Sequence, residues 1–343
     1  MKPLGQTTAA QVKAYCALIG EDPLLVQGAG GNVSWKDGEV LWVKASGTWL
    51  AQAKKNEIFI SVDLAHLRVE IAKKNFASPS TLVGESSLRP SIETMLHALM
   101  PHKIVVHLHA VEVLAHLVRE NPEKEIEKLI GDSLKWAFVD YFKPGAELAE
   151  AVAQTLFRHP DADILFLQNH GVVIGGESVA DIDIILSELV LLFKNPIIPL
   201  LVDGGTTIVA SQLQMKCYVL CNDSELNQLA TNIYLSSRLG SEWVLYPDHA
   251  VFLGGQATIL GDSIKLKDLD DMVDNKPAFI FDVGAGVYES KTATIAQKLQ
   301  LRCYYDVVIR QHITEKLVAL SPGSIAELMD WDAEWYRKLQ STL

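Results

Sequence analysis

Two histidines separated by a single residue are the part of this sequence best suited to chemistry. His107 and His109 follow the apolar run Ile104-Val105-Val106, which predicts a buried strand. Alternate residues of a strand share a face, so both imidazoles would point the same way and hold one metal ion. With ten histidines in 343 residues, about 0.3 such pairs arise by chance, so the pair needs support from its surroundings.

A third histidine and a glutamate follow other predicted elements. His170 comes shortly after the apolar stretch 163–167, and Ser91 is a suitable N-cap for a helix over residues 92–100, which places Glu93 in its first turn. Three neutral imidazoles from strand ends, with a carboxylate nearby, are the components of a catalytic zinc site whose open positions bind substrate oxygens. Taken alone, His170 is equally well explained as a strand-end histidine bonded to backbone.

Helices and short strands alternate along the first 200 residues. Hydrophobic periodicity predicts helices over residues 9–19, 92–100, 111–119, 146–156 and 179–193, and strands over 39–44, 58–62 and 163–167 in addition to the one that carries His107. The connections are short and the strands alternate, which favours an antiparallel or mixed sheet over a parallel one. The fold class is therefore α/β of the α+β type.

The pattern partly restarts beyond Pro199. Strands are predicted near 206–210, 250–252 and 279–281, helices near 225–238 and 292–300, and a helical, aromatic tail around 334–337. We predict a catalytic domain over residues 1–200 and a C-terminal α/β extension over residues 201–343. The run Gly284-Ala285-Gly286 has Glu289 where a dinucleotide fingerprint needs a glycine, which argues against a nucleotide site.

Composition limits the class of function. The formal net charge of −12 and the pI near 5.3 disfavour nucleic acid or an anionic membrane as the main partner, whereas a small-molecule substrate fits. The N-terminus shows no apolar signal segment, and the four cysteines suggest no disulfide scaffold, so we predict a cytoplasmic protein. The longest apolar stretch, 184–201, is interrupted by polar residues and prolines and predicts no membrane span.

Two glycine-containing turns are candidates for binding an anion. Gly28-Ala29-Gly30-Gly31-Asn32 and Ser46-Gly47 combine backbone N–H groups with short polar side chains, as anion-binding turns do. Considered by itself, the first run is more simply a tight turn. It lacks a Gly-Lys-Ser ending, which excludes a nucleotide P-loop.

The order and spacing of six motifs resemble those of the class II aldolase/adducin family. They are Gly30-Gly31-Asn32-Val33-Ser34, Ala45-Ser46-Gly47, Pro90-Ser91-Ile92-Glu93 with His97, His107-Leu108-His109, Tyr141 with Gly145, and Asn169-His170-Gly171. The resemblance covers roughly residues 8 to 195 and implies a three-layer α/β/α fold around a mainly antiparallel or mixed sheet. That family includes L-fuculose-1-phosphate and L-rhamnulose-1-phosphate aldolases and L-ribulose-5-phosphate 4-epimerase.

The resemblance assigns roles to single residues. It implies that His107, His109 and His170 bind one Zn²⁺ per subunit and that Glu93 is the acid/base beside it. Tyr141 matches a tyrosine that reaches the active site of a neighbouring subunit, which implies a homo-oligomer, with a tetramer favoured. The phosphate-binding segments correspond to Gly31, Asn32, Ser46, Gly47 and Ser91.

Several positions depart from the family pattern or stay open. Ile92 stands where the fuculose-phosphate enzyme has a second serine, and Lys44 and Arg89 either compensate for the lost hydroxyl or lie on the surface. His97 either supports Glu93 or belongs to the packing. Asp248, with His249, is more simply part of a turn after Pro247.

A subgroup in which an aldolase region is fused to a short-chain dehydrogenase is similar to this chain. The similarity lies in the stretch Gly84 to Pro101, in Tyr246-Pro247-Asp248-His249, in Gly284-Ala285-Gly286-Val287 and in the closing Trp331 to Arg337.

The resemblance implies a zinc-dependent aldolase that reversibly cleaves a ketose, as its 1-phosphate, into a dihydroxyacetone fragment and an aldehyde. Bond cleavage sends negative charge to the ketone oxygen as an enediolate, which a Lewis acid stabilises. Glu93 would move the proton at the enediolate carbon, for which burial would have to raise its pKa against the charge of the metal.

Three alternative functions share this fold. An epimerase and a decarboxylase use the same intermediate, but the epimerase branch carries aspartate at the position of Glu93. Adducin shows that the fold can also serve as a non-catalytic binding module. The complete set of His107, His109, His170 and Glu93 argues against such a module.

Overall fold

A computed structural model describes residues 7–198, 216–261, 269 and 276–341. Its main sheet has seven strands in the order β3-β2-β1-β4-β7-β6-β5, all neighbours antiparallel except the parallel pair β5 and β6. The strands are β1 (Asn32–Asp37), β2 (Val40–Lys44), β3 (Phe59–Asp63), β4 (Ile104–Leu108), β5 (Trp136–Val139), β6 (Ile164–Leu167) and β7 (Gly171–Gly176). The mixed sheet predicted from the sequence is confirmed.

Seven helices cover the two faces of this sheet. They are α1 (Thr8–Gly20), α2 (Leu64–Ala72), α3 (Thr94–Leu99), α4 (Val111–Leu117), α5 (Pro122–Ile130), α6 (Ala146–Arg158) and α7 (Val179–Leu192). Val106 of β4 packs in a core with α1, α4, α5 and α7, whereas its neighbour Val105 packs on the other face with α3 and α6. This alternation produces the predicted three-layer α/β/α arrangement.

The remaining described residues form a small sheet and six helices. The sheet has the order β8-β10-β9, with β8 (Tyr218–Leu220), β9 (Phe279–Asp282) and β10 (Gly286–Ser290). The helices are α8 (Ser224–Thr231), α9 (Ile233–Arg238), α10 (Pro247–Leu253), α11 (Ile295–Val308), α12 (Pro322–Met329) and α13 (Asp332–Ser341). Gly284 and Gly286 belong to the hairpin between β9 and β10. A dinucleotide-binding motif requires a helix to begin at these glycines, whereas here the chain continues directly into strand β10.

Two predictions in this half are wrong. Residues 250–252 lie in helix α10, which Pro247 starts, and not in a strand. The apolar run is too short for its hydrophobic period to distinguish a helix from a strand. The single helix predicted near 225–238 is two, since the side chain of Asn232 caps the second one. The strand predicted at 206–210 and the domain boundary at residue 200 lie outside the described residues.

The C-terminal region shares a hydrophobic core with the main sheet domain. Val111, Leu114 and Val118 pack in one cluster with residues of α8 and α11, including Leu301 and Tyr304. Helix α4, which follows the His107 strand directly, is therefore buried on both sides. In the part of the chain that is described, no helix is long and apolar enough to cross a membrane.

Candidate metal centre and active-site pocket

Three buried histidines meet at one end of the main sheet. His107 lies near the end of β4, His109 just beyond it, and His170 in the tight turn between β6 and β7. Each is at most 4% exposed, and one ligand nitrogen from each lies within 4.8 Å of the others. The structure thus brings together the three side chains that the sequence singled out.

The chemical state of two of these histidines, His107 and His170, fits a metal ion. Burial lowers the pKa of His107 and, to about 3, that of His170, which leaves neutral imidazoles, the form that binds metals. Nδ1 of His107 lies 3.1 Å from the Val172 carbonyl oxygen, which only accepts, so this nitrogen carries the proton and Nε2 keeps its lone pair. That Nε2 is buried and finds no hydrogen-bond partner among the described residues.

The turn that carries His170 leaves no room for a side chain at Gly171. A Cβ on Gly171 would press on the Leu108 carbonyl oxygen and lie 3.2 Å from the rings of both His107 and His109. Asn169, with φ of +48°, donates from Nδ2 to the carbonyl oxygens of Leu245 and Val318 at 2.8 and 2.6 Å. The C-terminal region therefore holds this turn in place.

Glu93 faces the histidines from the start of α3. The helix begins at Thr94, so Glu93 is its N-cap rather than a first-turn residue, and the predicted start at residue 92 is wrong because residues 91–93 form a turn. Oε1 of Glu93 lies 3.4 Å from Nε2 of His170, and Oε2 lies 3.6 Å from Nε2 of His107.

The pKa of Glu93 is lowered, contrary to the sequence-based expectation. Burial raises it, but His107 and His170, together with a hydrogen bond from Asn32, lower it more, to about 2. Glu93 is therefore a carboxylate in this site.

Asn32 and His97 hold Glu93 from behind. Nδ2 of Asn32 donates to Oε2 of Glu93 at 2.7 Å. The oxygen of the same amide contacts Nε2 of His97, whose Nδ1 lies 2.7 Å from Ser34 Oγ. In β1, Asn32 is paired with His107, so sheet register places it beside the candidate metal ligands. The His97 side chain supports the Glu93 carboxylate through Asn32, and the backbone N–H of His97 donates to the Glu93 carbonyl oxygen at 3.2 Å.

The predicted anion-binding residues line a pocket next to the histidines. Its cavity measures about 20 Å³, and its walls include all five predicted residues, Gly31, Asn32, Ser46, Gly47 and Ser91. Glu93, His109, His170 and Ile92 belong to the same wall. The pocket thus joins the predicted phosphate segments to two of the three candidate metal ligands, His109 and His170.

Lys44 contributes a buried cation to this pocket. It is 2% exposed, and its ammonium donates to the Ala29 carbonyl oxygen at 3.2 Å but forms no ion pair with the described residues. Burial, and next the charge of Arg337, lower the pKa of Lys44 to about 7. Arg89 instead lies at the surface, paired with Asp332 at 3.1 Å and stacked over Tyr336.

Tyr141 does not line this pocket. It is half-buried and packs against the C-terminal core cluster, and its hydroxyl is enclosed without a hydrogen-bond partner in the described ranges. Burial raises the pKa of that hydroxyl. Its predicted role in a neighbouring subunit stays a prediction.

The sequence analysis missed three charged residues from the far end of the chain. Asp248, Glu334 and Arg337 all line the pocket and are at most 8% exposed. Asp248 lies in helix α10 and not in the simple turn that was favoured, because Pro247 opens a helix there. The sequence contained one signal for these residues. The segment around Asp248 and the closing segment with Glu334 and Arg337 are both similar to the aldolase region of the fused enzymes.

More than half of the chain matches the sequence model of one protein family. The sequence model for the class II aldolase and adducin N-terminal domain matches residues 10–194. The chain belongs to the class II aldolase and adducin family. This confirms the family inferred from the six motifs.

Individual relatives match about half of the chain. The L-fuculose phosphate aldolase of Methanocaldococcus jannaschii is 29% identical over 170 residues, which is 47% of this chain and 80% of that protein. The uncharacterized oxidoreductase YuxG of Bacillus subtilis is 30% identical over 177 residues, 47% of this chain but only 25% of that protein. The N-terminal class II aldolase domain of a conserved Thermoplasma acidophilum protein is 27% identical, with a TM-score of 0.47 and coverage of 57% of this chain and 97% of that structure.

Proposed function

We propose that this protein is a zinc-dependent aldolase that reversibly cleaves a ketose 1-phosphate into a dihydroxyacetone phosphate fragment and an aldehyde. The observation that carries the proposal is the cluster of three buried histidines with the Glu93 carboxylate beside them. A metal held there would supply Lewis acidity for the negative charge that develops when the carbon–carbon bond breaks. The homo-oligomer, the role of Tyr141 and the cytoplasmic location remain predictions from the sequence.

Glu93 is suited to move the proton at the reacting carbon. Asn32 occupies Oε2, whereas Oε1 has no hydrogen-bond partner in the part of the chain described. In the condensation direction, Oε1 accepts the proton from the carbon beside the ketone, and in cleavage it returns that proton. His97 and Asn32 keep the carboxylate in the orientation this transfer needs.

Lys44 and the glycine turns support a phosphorylated substrate. A buried ammonium without a counter-ion is costly, and a phosphate in the same pocket would neutralise it. The cavity of about 20 Å³ holds little more than one water molecule, so a sugar phosphate binds only if the pocket wall moves. Helix α13 forms part of that wall and packs closely on the turn at Gly47. A Cβ at Gly47 would lie only 2.9 Å from the Arg337 carbonyl oxygen.

Replacing Lys44 with methionine is expected to raise the KM for a ketose 1-phosphate about 10- to 100-fold, because a charge-assisted contact to phosphate is lost. The KM for the unphosphorylated ketose should not change. Steady-state kinetics on both substrates measures the difference. Lys36→Met, at a partly buried lysine that contacts the Met100 carbonyl oxygen outside the pocket, is the matched control. An equal rise in KM for both substrates would contradict phosphate binding by Lys44.

The proposed activity is tested with purified protein and a panel of ketose 1-phosphates and free ketoses, each with and without a chelator. We expect about one zinc ion per chain and cleavage that stops with the chelator and returns when zinc is added. Bound zinc without cleavage of any substrate would favour an epimerase or a decarboxylase. Protein that contains no metal would favour an adducin-like binding module.

A further inference from the structure

We infer that Asp248, from the C-terminal half of the chain, is a positioning residue for the metal centre. Its carboxylate holds the His109 ring with the proton on Nδ1, so that Nε2 faces the metal. Arg337 on the last helix holds Asp248 in place. This inference rests on the part of the proposed function in which the histidines bind a metal, and it does not depend on which sugar is cleaved.

Asp248 is held as an ionised carboxylate by its contacts. It is 1% exposed, and the Arg337 guanidinium grips both of its oxygens, at 2.6 Å from Oδ1 and 2.7 Å from Oδ2. Nε2 of Gln300 also donates to Oδ2, at 3.2 Å. A carboxylate surrounded by donors in this way can only accept hydrogen bonds.

The contact with His109 sets which ring nitrogen carries the proton. Nδ1 of His109 lies 3.4 Å from Oδ2 of Asp248, an ion-pair contact, and no hydrogen bond to this nitrogen is recorded among the described residues. Facing an acceptor, Nδ1 keeps its proton, which leaves the lone pair on Nε2. A carboxylate behind a metal-binding histidine fixes the ring and makes it a stronger ligand.

Gly30 allows these two side chains to meet. A Cβ at this position would lie 3.0 Å from Nδ1 of His109 and 3.1 Å from Oδ2 of Asp248, tighter than ordinary contact with both. The carbonyl of Val172 serves His107 in the same way that Asp248 serves His109. Two of the three histidines therefore have an acceptor behind Nδ1, one from the main sheet and one from α10.

Arg337 does not require Asp248 in order to have a counter-ion. Glu334, itself buried, lies 3.2 Å from the same guanidinium and already offers it a counter-ion. Asp306 shows what a purely structural pair looks like in this chain. It is buried and paired with Arg302 at 3.0 Å and Arg310 at 3.8 Å, and no contact with the metal-centre histidines is recorded for it among the described residues.

The test measures zinc affinity and requires no turnover. In Asp248→Asn, the amide can turn its NH₂ toward His109 and stabilise the wrong tautomer. The dissociation constant for zinc, measured by competition with a chromophoric chelator on the full chain, should rise about 10- to 100-fold. Asp306→Asn is the matched control, because it also removes one charge from a buried aspartate–arginine pair but should leave zinc affinity unchanged. Melting temperatures of both variants report the structural cost separately.

A second variant keeps the test valid if Asp248→Asn fails to fold. Asp248→Asn combined with Arg337→Met and Glu334→Gln removes the whole buried ion cluster, so that none of its three charges is left buried without a partner. Weak zinc binding in this folded triple variant supports the inference. Zinc binding as tight as in the unaltered protein, in either folded variant, overturns it, as does an unaltered protein that binds no zinc. Unaltered protein that binds zinc but cleaves no ketose overturns the proposed activity only.

Discussion

Replacing His107 with alanine is expected to abolish zinc binding and to reduce ketose cleavage by about 10³-fold or more. The three histidines each offer one ligand nitrogen, and these nitrogens lie within 4.8 Å of one another, so loss of one leaves two histidine ligands for the ion. Loss of a group behind a ligand already costs about 10- to 100-fold in metal affinity, so loss of a ligand costs more. Elemental analysis after dialysis, together with the cleavage assay, measures both effects.

The fold should survive this change. His107 is fully buried, and its removal leaves a small cavity that we expect to lower the free energy of unfolding by about 1–3 kcal/mol. His102→Ala is the control. His102 is a partly buried histidine that is hydrogen-bonded to Asp163 at 2.8 Å and lines no part of the pocket. If folded His107→Ala protein retains one zinc per chain, the assignment of the metal centre is wrong.

Replacing Glu93 with glutamine is expected to lower kcat about 10²- to 10⁴-fold while zinc stays bound. Glutamine has the shape of glutamate and can still accept from Asn32, but it cannot take a proton. The direct measurement is uptake of deuterium from solvent into dihydroxyacetone phosphate without an aldehyde, because that exchange reports only the proton transfer at carbon.

A matched variant separates proton transfer from packing. Glu70→Gln changes a buried glutamate held by Lys73 and Asn75 at 2.9 and 2.6 Å, at the end of α2 and outside the pocket. It should keep both exchange and cleavage. Exchange at the unaltered rate in Glu93→Gln would assign the proton transfer to another group.

The two halves of the chain contribute differently to the site. The main sheet supplies the histidines and, through Asn32, the orientation of Glu93. The C-terminal half supplies the acceptor behind His109 and the backbone oxygens that hold Asn169, next to His170. The candidate metal site therefore depends on residues from both halves of the chain.

Local patterns in the sequence were enough to predict the centre of this site. The period of two along a strand puts His107 and His109 on one face whatever surrounds them. Short connections between alternating strands predicted the mixed sheet, and six motifs in order predicted the family, both of which are confirmed. These features depend on residues close in the chain or on a pattern shared with relatives.

Only the tertiary structure decided which distant side chains complete the site. Lys44 and Arg89 were equivalent in the sequence, yet packing buries the first in the pocket and leaves the second exposed on Tyr336. Asp248 reaches His109 across more than one hundred residues, and Arg337 in turn reaches Asp248, because α10 and α13 pack at the end of the main sheet. No period or spacing encodes such a meeting, since it depends on how whole helices pack.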